Sequence, residues 1–331
     1  MKKKLIAMLL SAAMCLSLAA CGQKADTPDT TDPAEPSGDA ATYTVGICQL
    51  VQHEALDAAT QGFIDALNEA LPGQVKIEEK NASGDSNSCA TIVNGFVSEG
   101  VDLIMANATA ALQAAASATS DIPVLGTSIT AYGVALDIDD FSGTVGGNVS
   151  GTSDLADLQK QAQMILDWFP ETKTVGLLFC SAEPNSRYQI DELRKALEAQ
   201  GVTCEEFAFT DSNDVSSVTQ KAADFSDVVY IPTDNTAASN TEAIANVLIP
   251  AGVPAICGEE GLCRGCGVAT LSISYYDLGV TTGKMAAKIL KGEANISEMP
   301  VEYTDATPKY NASICDQLGI TPLDGYEAID G

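Results

Sequence analysis

The feature that most constrains the fold is a regular alternation of short β-rich runs with longer helical patterns after residue 42. In the first series these segments are 43–49, 55–71, 75–81, 86–99, 102–106, 110–119 and 123–129. In the second series they are 174–180, 186–200, 202–209, 215–224, 227–231, 236–249, 254–257 and 268–274. Apolar strands joined by helices form parallel sheets with helices on both faces. The sequence therefore predicts an α/β protein built from two similar units.

The segment between the two series marks a division into lobes. Residues 133–151 are rich in Gly and Asp, and we interpret them as the crossing between the lobes. A helical stretch at 278–290 follows the second series, so the chain is expected to return late. The expected N-terminal lobe comprises residues 43–150 plus 276–300, and the expected C-terminal lobe comprises residues 151–275 plus 301–331.

Residues 1–21 have the pattern of a lipoprotein signal peptide. Three lysines are followed by an apolar run of about fourteen residues, shorter than the ~20 residues that span a bilayer. The run ends in LAACG, which resembles a bacterial lipobox with Cys21 as the lipidated residue. The alternative is an ordinary secretory signal with a coincidental cysteine. Lipidation predicts a chain anchored on the outer face of the cytoplasmic membrane, or in the periplasm, depending on the cell envelope.

Residues 22–42, rich in Pro, Asp, Thr and Ala, are expected to form a disordered tether.

Composition excludes several classes of partner. The chain has 17 basic and 45 acidic residues, a formal net charge of −28. A field of that sign repels phosphate backbones and anionic lipids, so we expect no nucleic-acid partner and no membrane contact except the lipid anchor.

The sequence carries no pattern of an enzyme, a cofactor site or a metal site. It has no dinucleotide-binding or phosphate-binding glycine motif and no nucleophile elbow, and its single histidine has no plausible partner for a catalytic triad. The Cys263–Cys266 pair is the only C-x-x-C in the chain, with no second pair at zinc spacing. A local disulfide among Cys257, Cys263 and Cys266 is the more plausible alternative to a metal site outside the cell.

Polar residues follow several predicted strands, where parallel α/β sheets bind ligands. The candidates at these positions are Thr109, Ser181, Asn185, Ser186, Asp234 and Asn235. A free amino acid presents a carboxylate for hydroxyl, amide and helix N-terminal donors, and an ammonium for an acidic acceptor. We expect Asp234 to be that acceptor. The alternative for each residue is an ordinary helix N-cap.

Three further candidate ligand-binding residues each have two interpretations. Gln49 ends the first predicted strand and His53 lies in the loop after it, where they face the ligand or serve the helix N-terminus. Tyr276, next to Tyr275, stands where the chain is expected to cross back between lobes. It either lines the cleft or packs in the hinge.

Several short strings, by their order and spacing, resemble one family. They are VGICQ (45–49), HEALD (53–57), NASGD (81–85), GNVSG (147–151), SAEPNS (181–186), PTDNT (232–236) and YDLG (276–279). The chain resembles the substrate-binding lipoproteins of ABC transporters, in the tryptophan/tyrosine-type branch. The resemblance implies a type I periplasmic-binding-protein fold, with two Rossmann-like lobes joined by a three-segment hinge.

The same resemblance implies a function without catalysis. A small amino acid, with an aromatic one (tryptophan, tyrosine or phenylalanine) expected, is held in the interlobe cleft and delivered to an ABC permease and its ATPase. One alternative is a sugar or nucleoside receptor of the same fold. Another is an extracellular sensor or scaffold that feeds no transporter.

Overall fold

The strands of the computed structural model, which describes residues 43–329, form two sheets. In spatial order the first sheet contains β11 (Glu302–Tyr303), β5 (Val149–Ser153), β4 (Val124–Ile129), β3 (Leu103–Asn107), β1 (Tyr43–Gln49) and β2 (Val75–Asn81). The second contains β13 (Glu327–Ala328), β12 (Ala306–Tyr310), β10 (Ala269–Ile273), β9 (Ala255–Cys257), β8 (Val228–Ile231), β6 (Thr174–Cys180) and β7 (Thr203–Phe209). All neighbouring strands are parallel except β10 and β12. The predicted α/β class is confirmed.

Helices cover both faces of each sheet. The first sheet carries α1 (Glu54–Ala70), α2 (Ser86–Glu99), α3 (Thr109–Ala118), α4 (Tyr132–Ala135) and α11 (Tyr275–Leu290). The second carries α5 (Leu158–Trp168), α6 (Pro184–Glu198), α7 (Val215–Phe225), α8 (Asn235–Ala238), α9 (Thr241–Ala251), α10 (Glu260–Cys266) and α12 (Ala312–Leu318). A short 3₁₀ helix spans Ile296–Glu298. We call the first sheet with its helices the first lobe, and the rest the second lobe.

Each sheet has an apolar core on both faces. In the first lobe, Phe96 belongs to the core on one face and Phe63 to the core on the other. In the second lobe, Trp168 and Phe209 mark the two corresponding cores. Strands β3 and β8 are buried along their whole length, as expected for central strands of a doubly covered parallel sheet.

The interpretation of 133–151 as the interlobe crossing is wrong. This segment contains α4 and the start of β5, and β5 pairs with β4 inside the first sheet. Strand β5 reads VSGTS, without the bulky apolar residues that reveal a strand in a sequence. Its small residues are needed because a Cβ on Gly151 would lie 2.0 Å from the carbonyl oxygen of Gly126.

The chain passes between the sheets at three places. It leaves the first sheet after β5, returns between β10 and α11, and leaves again between β11 and β12. Sheet membership therefore assigns residues 151–153 and 302–303 to the first lobe, whereas the sequence suggested the other lobe. The lobe boundaries differ from expectation by a few residues because the sequence pattern missed β5.

Other elements also departed from the expected pattern. Helices α5 and α10 were not predicted, and the single helix expected at 236–249 is two helices, α8 and α9, with Asn240 between them. The signal peptide, Cys21 and the tether predicted for residues 1–42 lie outside the described residues. Within residues 43–329, no helix has the length and apolar character needed to cross a membrane.

Helices α1 and α11 pack at unusually close range. A Cβ on Gly279 would lie 2.0 Å from the carbonyl oxygen of Ala59, and one on Gly62 would lie 2.1 Å from that of Tyr276. The two backbones can approach this closely only because both positions lack a side chain. Helix α11 follows the second crossing, so this contact holds the returning chain on the first lobe.

We expect Gly279→Ala to destabilise the protein by about 1–3 kcal/mol or more, because the methyl group collides with backbone that has no space to move. The matched control is Gly95→Ala in α2, where only the end of the Lys80 side chain lies within 4.0 Å of the new Cβ. This control should stabilise the protein by about 0.5–1 kcal/mol. Urea denaturation of both variants measures the difference, and equal effects would contradict the close-contact explanation.

Candidate functional site

Two large cavities and a smaller one lie between the lobes. The smaller cavity, of about 300 Å³, is lined by Gln52, the predicted residue His53 and Glu54 of the first lobe and by second-lobe residues that include Arg264. The cleft cavity has a volume of about 580 Å³ and receives the N-terminal ends of α2, α6 and α8. Its lining comprises Leu50, Val51, Ser83, Gly84, Asp85, Ser86, Ala110 and Gln113 of the first lobe with Cys180, Ala182, Glu183, Pro184, Asn185, Thr210, Asp211, Ser212, Asn235, Thr236, Ser239 and Asn240 of the second. Two of the predicted site residues, Asn185 and Asn235, therefore face this cavity.

The second cavity, here the hinge cavity, lies beside the interlobe crossings and has a volume of about 630 Å³. It is lined by Thr130, Ala131, Tyr132, Gly133, Val134, Asp137, Ile138, Asp139, Asp140, Phe141, Leu155, Tyr188 and Tyr303. Eight of these thirteen residues are aromatic or aliphatic, and Asp137, Asp139 and Asp140 add three acidic side chains. The rings of Tyr132 and Phe141 stack with centroids 6.3 Å apart, while Tyr188 comes from α6 of the second lobe.

Polar contacts join the lobes along one side of the cleft. The His53 Nε2 atom lies 3.3 Å from Oδ1 of Asn235 in the second lobe. Burial lowers the pKa of His53, so the ring is neutral near pH 7. Glu54, next along the chain, forms an ion pair with Arg264 of α10, which also binds Glu260 at 2.8 Å. These contacts join the two lobes directly.

Asp234, the predicted ammonium acceptor, has its hydrogen-bonding capacity filled by the protein. Its Oδ1 accepts from the Ala237 amide at 2.8 Å, and its Oδ2 accepts at 2.7 Å from both the Cys180 amide and the Ser186 hydroxyl. Burial, with the nearby Glu183 carboxylate, raises the pKa of Asp234 to about 8. The residue caps α8 and joins it to β6, and it lines neither cavity.

Glu183 is a second buried carboxylate that secures the same corner. It accepts hydrogen bonds from the backbone and side chain of both Asn235 and Thr236, at 2.7 to 3.0 Å. The Asn185 amide donates to this carboxylate at 3.2 Å and to the Thr233 carbonyl at 3.1 Å. The loops after β6 and β8 are thereby a single rigid, polar wall of the cleft cavity.

The remaining predicted site residues, apart from His53, line none of the interlobe cavities. Gln49 points toward α1, donating to Asp57 at 2.6 Å and accepting from Thr60 at 2.6 Å. The Ser181 hydroxyl donates to the Phe209 carbonyl at 3.2 Å. Tyr276 is 43% exposed on the first lobe, where its hydroxyl donates to Asp65 at 2.9 Å.

Thr109, also predicted, begins α3 at the buried end of β3. The residue before it, Ala108, has a φ of +89°, and Ser128 on neighbouring β4 has a φ of +56°. Left-handed backbone at non-glycine residues is strained, and such strain concentrates at ligand sites. Ala108 and Ser128 follow the paired residues Asn107 and Thr127 of β3 and β4, so α3 begins next to Ser128.

Sequence reasoning missed the most unusual polar group of the junction, Asp154. Three neighbouring strands, β3, β4 and β5, end in buried side-chain oxygens without a hydrogen-bond partner: Asn107 Oδ1, Ser128 Oγ and Asp154 Oδ1. The other oxygen of Asp154 accepts from the Tyr275 hydroxyl at 2.8 Å. Burial raises the pKa of Asp154 above its ordinary value. The residue directly follows β5, the strand that the sequence pattern did not reveal.

The eight cysteines of the described residues are free, including the three for which a local disulfide was considered. Seven of them are buried, and Cys204 is partly exposed. Within residues 43–329, no group of three or more His, Cys, Asp or Glu side chains is arranged to hold a metal ion.

Two parallel sheets, three crossings and a polar interlobe cleft define a solute-binding protein of the periplasmic-binding-protein type. The family model described as ABC transporter substrate binding protein matches residues 44–325. The chain belongs to this family. Its members bind solutes without catalysis, and they act outside the cytoplasm as parts of ABC transporters. The predictions of family, fold and non-enzymatic character are confirmed.

Individual relatives are similar over nearly the whole chain. A tyrosine-binding protein of Clostridioides difficile (strain R20291) is 30% identical over 312 residues, covering 92% of this chain and 89% of the relative. A crystal structure from Streptococcus pneumonia, in complex with L-Trp, is 33% identical with a TM-score of 0.82, covering 88% of this chain and all of that one. A ligand-free, open substrate-binding protein from Clostridium difficile, also 33% identical, has a TM-score of 0.66, covering 87% of this chain and 99% of the other.

We expect Glu54→Gln to favour the open arrangement of the unliganded protein, because it removes the ion pair that joins α1 to Arg264. Exposed pairs contribute about 0.2–1 kcal/mol, so the open-to-closed ratio should rise by up to about fivefold. Small-angle X-ray scattering detects this as a larger radius of gyration. High salt should have the same effect on the wild-type protein.

The control is Glu192→Gln, which removes the exposed Glu192–Lys195 pair within α6 of the second lobe. It should leave the radius of gyration unchanged. A Glu54→Gln protein that scatters like wild type at low salt would show that the ion pair does not bias closure.

Proposed function

We propose that this protein is an extracytoplasmic binding lipoprotein that captures a free aromatic amino acid between its lobes and delivers it to an ABC permease. The observation that carries the proposal is the buried Asp154 carboxyl group, which has one oxygen without a partner. A buried polar atom without a hydrogen bond is costly. A ligand that supplies the missing partner would offset that cost on binding.

Asp154 is suited to bind an ammonium group. It lies where the chain first leaves the first lobe, and Tyr275, at the second crossing, already holds its other oxygen. A buried carboxylate is stabilised by an opposite charge within hydrogen-bonding distance. The neighbouring residue Leu155 lines the hinge cavity, so a ligand amine at Asp154 would place the rest of the molecule beside that cavity.

The ligand carboxylate has a matching set of donors one strand away. Strands β4 and β5 are parallel and pair Ile129 with Ser153, so Asp154 is level with Thr130 and Ser128 lies two residues back on β4. The Cα atoms of Ser128 and Asp154 are therefore ~8 Å apart along the sheet. The Ser128 hydroxyl is unpartnered, and the first turn of α3 presents backbone amides and the positive end of the helix dipole. An α-amino acid, whose charged groups are separated by one carbon, is a good match to this spacing.

The hinge cavity supports an aromatic side chain. Tyr132, Tyr188 and Tyr303 contribute rings from three different segments of the chain. Aromatic rings prefer offset or edge-to-face contacts with one another, and each such pair contributes about 0.5–1.5 kcal/mol beyond area burial. The relatives support the same assignment, since one is described as tyrosine-binding and another holds L-Trp.

The arrangement of the lobes is consistent with a ligand-bound form. At the same 33% identity, the chain has a higher TM-score with the L-Trp complex than with the ligand-free open structure, 0.82 against 0.66. A ligand that contacts both lobes shifts the population toward closure by its differential affinity for the closed state. Capture by hinge closure follows from that principle.

Delivery and anchoring rest on the sequence. The lipobox-like LAACG string supports lipidation at Cys21, and residues 22–42 would serve as the tether between the lipid and the lobes. The permease and its ATPase are the partners that an ABC-type binding protein serves. Lipid anchoring would keep the loaded protein close to that permease.

A thermal-shift screen of the twenty amino acids, several sugars and nucleosides tests the ligand class. A thousandfold excess over Kd stabilises the folded protein by about 4 kcal/mol, so tryptophan, tyrosine or phenylalanine should give a clear rise in melting temperature. A shift with a sugar or nucleoside and with no amino acid would overturn the amino-acid assignment. No shift with any compound would favour a sensor or scaffold without a transported ligand.

Asp154→Asn should weaken binding of the identified amino acid by about 30-fold or more, because it removes the charge that faces the ammonium. Asp157→Asn is the matched control. Asp157 caps α5 only three residues away, but it is exposed and bonds the amides of Gln159 and Lys160. Isothermal titration calorimetry should show near wild-type affinity for this control. Equal affinities for both variants would exclude Asp154 as the ammonium partner.

The affinity should also depend on pH through Asp154. Its pKa is raised by burial in the free protein, and a bound ammonium would lower it. Binding then favours the ionised carboxylate, so affinity falls as the pH decreases through the raised pKa. Titrations at several acidic pH values should show this decrease in the wild type and a flatter dependence in Asp154→Asn. A pH-independent wild-type affinity would contradict the role of this carboxylate.

A further inference from the structure

Two buried thiols lie side by side beneath the mouth of the cleft cavity. Cys48 is the second-last residue of β1, and Cys89 ends the first turn of α2. Both are fully buried and belong to the same apolar core of the first lobe. No part of the proposed amino-acid site uses them.

The packing of α2 on β1 independently places the two thiols together. Gly46 and Cys48 point to the same face of the strand, because they are two residues apart. A Cβ on Gly46 would lie 2.7 Å from the ring of Phe96, so Phe96 of α2 covers that position. Cys89 precedes Phe96 by two helical turns, on the same helix face. Helix α2 runs antiparallel to β1, and Cys89 therefore covers Cys48.

The pair is chemically asymmetric. The neighbouring Cys48 thiol lowers the pKa of Cys89. Cys89 also lies near the N-terminal end of a helix, which stabilises a thiolate. Residues 83–87, just before it, are exposed, so only one helical turn separates Cys89 from solvent. Of the two thiols, Cys89 is therefore the one placed to react first, with Cys48 as the resolving thiol.

We propose that Cys48 and Cys89 form a redox-active pair that closes to a disulfide by exchange with a small-molecule disulfide. The Cys89 thiolate attacks one sulfur of the oxidant, whose S–S bond breaks and releases one thiolate. The Cys48 thiolate then attacks the Cys89 sulfur of the mixed disulfide, forming the intramolecular bond and releasing the second thiolate. The two protein thiol protons end on the two released thiols, so the protein loses two electrons and the oxidant gains two.

The bond would join two segments that line the cleft cavity. Leu50 and Val51, shortly after Cys48, line that cavity. Asp85 and Ser86, shortly before Cys89, line it as well. A family that acts outside the cytoplasm meets oxidising conditions under which such bonds persist. Oxidation would therefore fix the loop after β1 against the N-terminal end of α2 and rigidify one wall of the cleft.

The test is a peptide map of the purified full chain after treatment with oxidised glutathione, compared with the chain kept in dithiothreitol. Free thiols are alkylated under denaturing conditions before proteolysis. We expect a peptide crosslinked through Cys48 and Cys89 only in the oxidised sample, with a melting temperature raised by about 5 °C or more. The proposal would be overturned if Cys48 and Cys89 were both found alkylated after oxidation. It would also be overturned if crosslinks formed only among Cys257, Cys263 and Cys266.

Cys89→Ser should abolish both the crosslink and the oxidation-dependent rise in melting temperature. Cys204→Ser is the matched control, because Cys204 lies on β7 of the second lobe, and it should keep both. The wild-type peptide map decides the pairing even if Cys89→Ser fails to fold. A Cys89→Ser protein that folds and keeps the full rise in melting temperature would contradict the role of this pair.

Discussion

Parallel strands end at a common edge of their sheet, and this constraint determines where the protein can hold a ligand. Polar residues at the ends of β3, β4 and β5 cannot all pair with one another, because their strands run side by side and point toward the other lobe. Ser128 and Asp154 are buried there with unpartnered side-chain oxygens. A small zwitterion with donors and acceptors of its own can satisfy both at once.

Three crossings of the chain form the hinge between the lobes. Three strand and helix connections join the lobes, and Asp154 and Tyr275 belong to two of them. The close backbone contact of α11 with α1, through Gly62 and Gly279, fixes the returning segment on the first lobe. Each lobe keeps its own two apolar cores, so the crossings are where a hinge motion would take place. The polar contacts of His53 with Asn235 and of Glu54 with Arg264 join the lobes at a separate place.

Asp234 and Glu183 both have structural roles in the second lobe, although the sequence predicted a ligand contact for Asp234. Asp234 lies between the end of a strand and the start of a helix. Both ligand-binding residues and helix N-caps occur at such positions. The structure uses it for the cap, with three protein donors, and Glu183 fastens the neighbouring turn in the same way. Both make the cleft wall rigid. The role of Asp234 in binding an ammonium stays a prediction, and the free oxygen of Asp154 is the better match to that task.

The sequence by itself determined the α/β class, the two-lobed plan and the family resemblance, because buried apolar strands and amphipathic helices leave periodic patterns that do not depend on distant residues. It also indicated that Asn185 and Asn235 lie at strand ends, and both line the cleft cavity. Only the tertiary structure identified β5, the hinge position of Asp154 and the aromatic rings gathered in the hinge cavity. These depend on which small residues tolerate close backbone contact and on which segments, far apart in the chain, meet when the lobes close, and a local pattern carries neither kind of information.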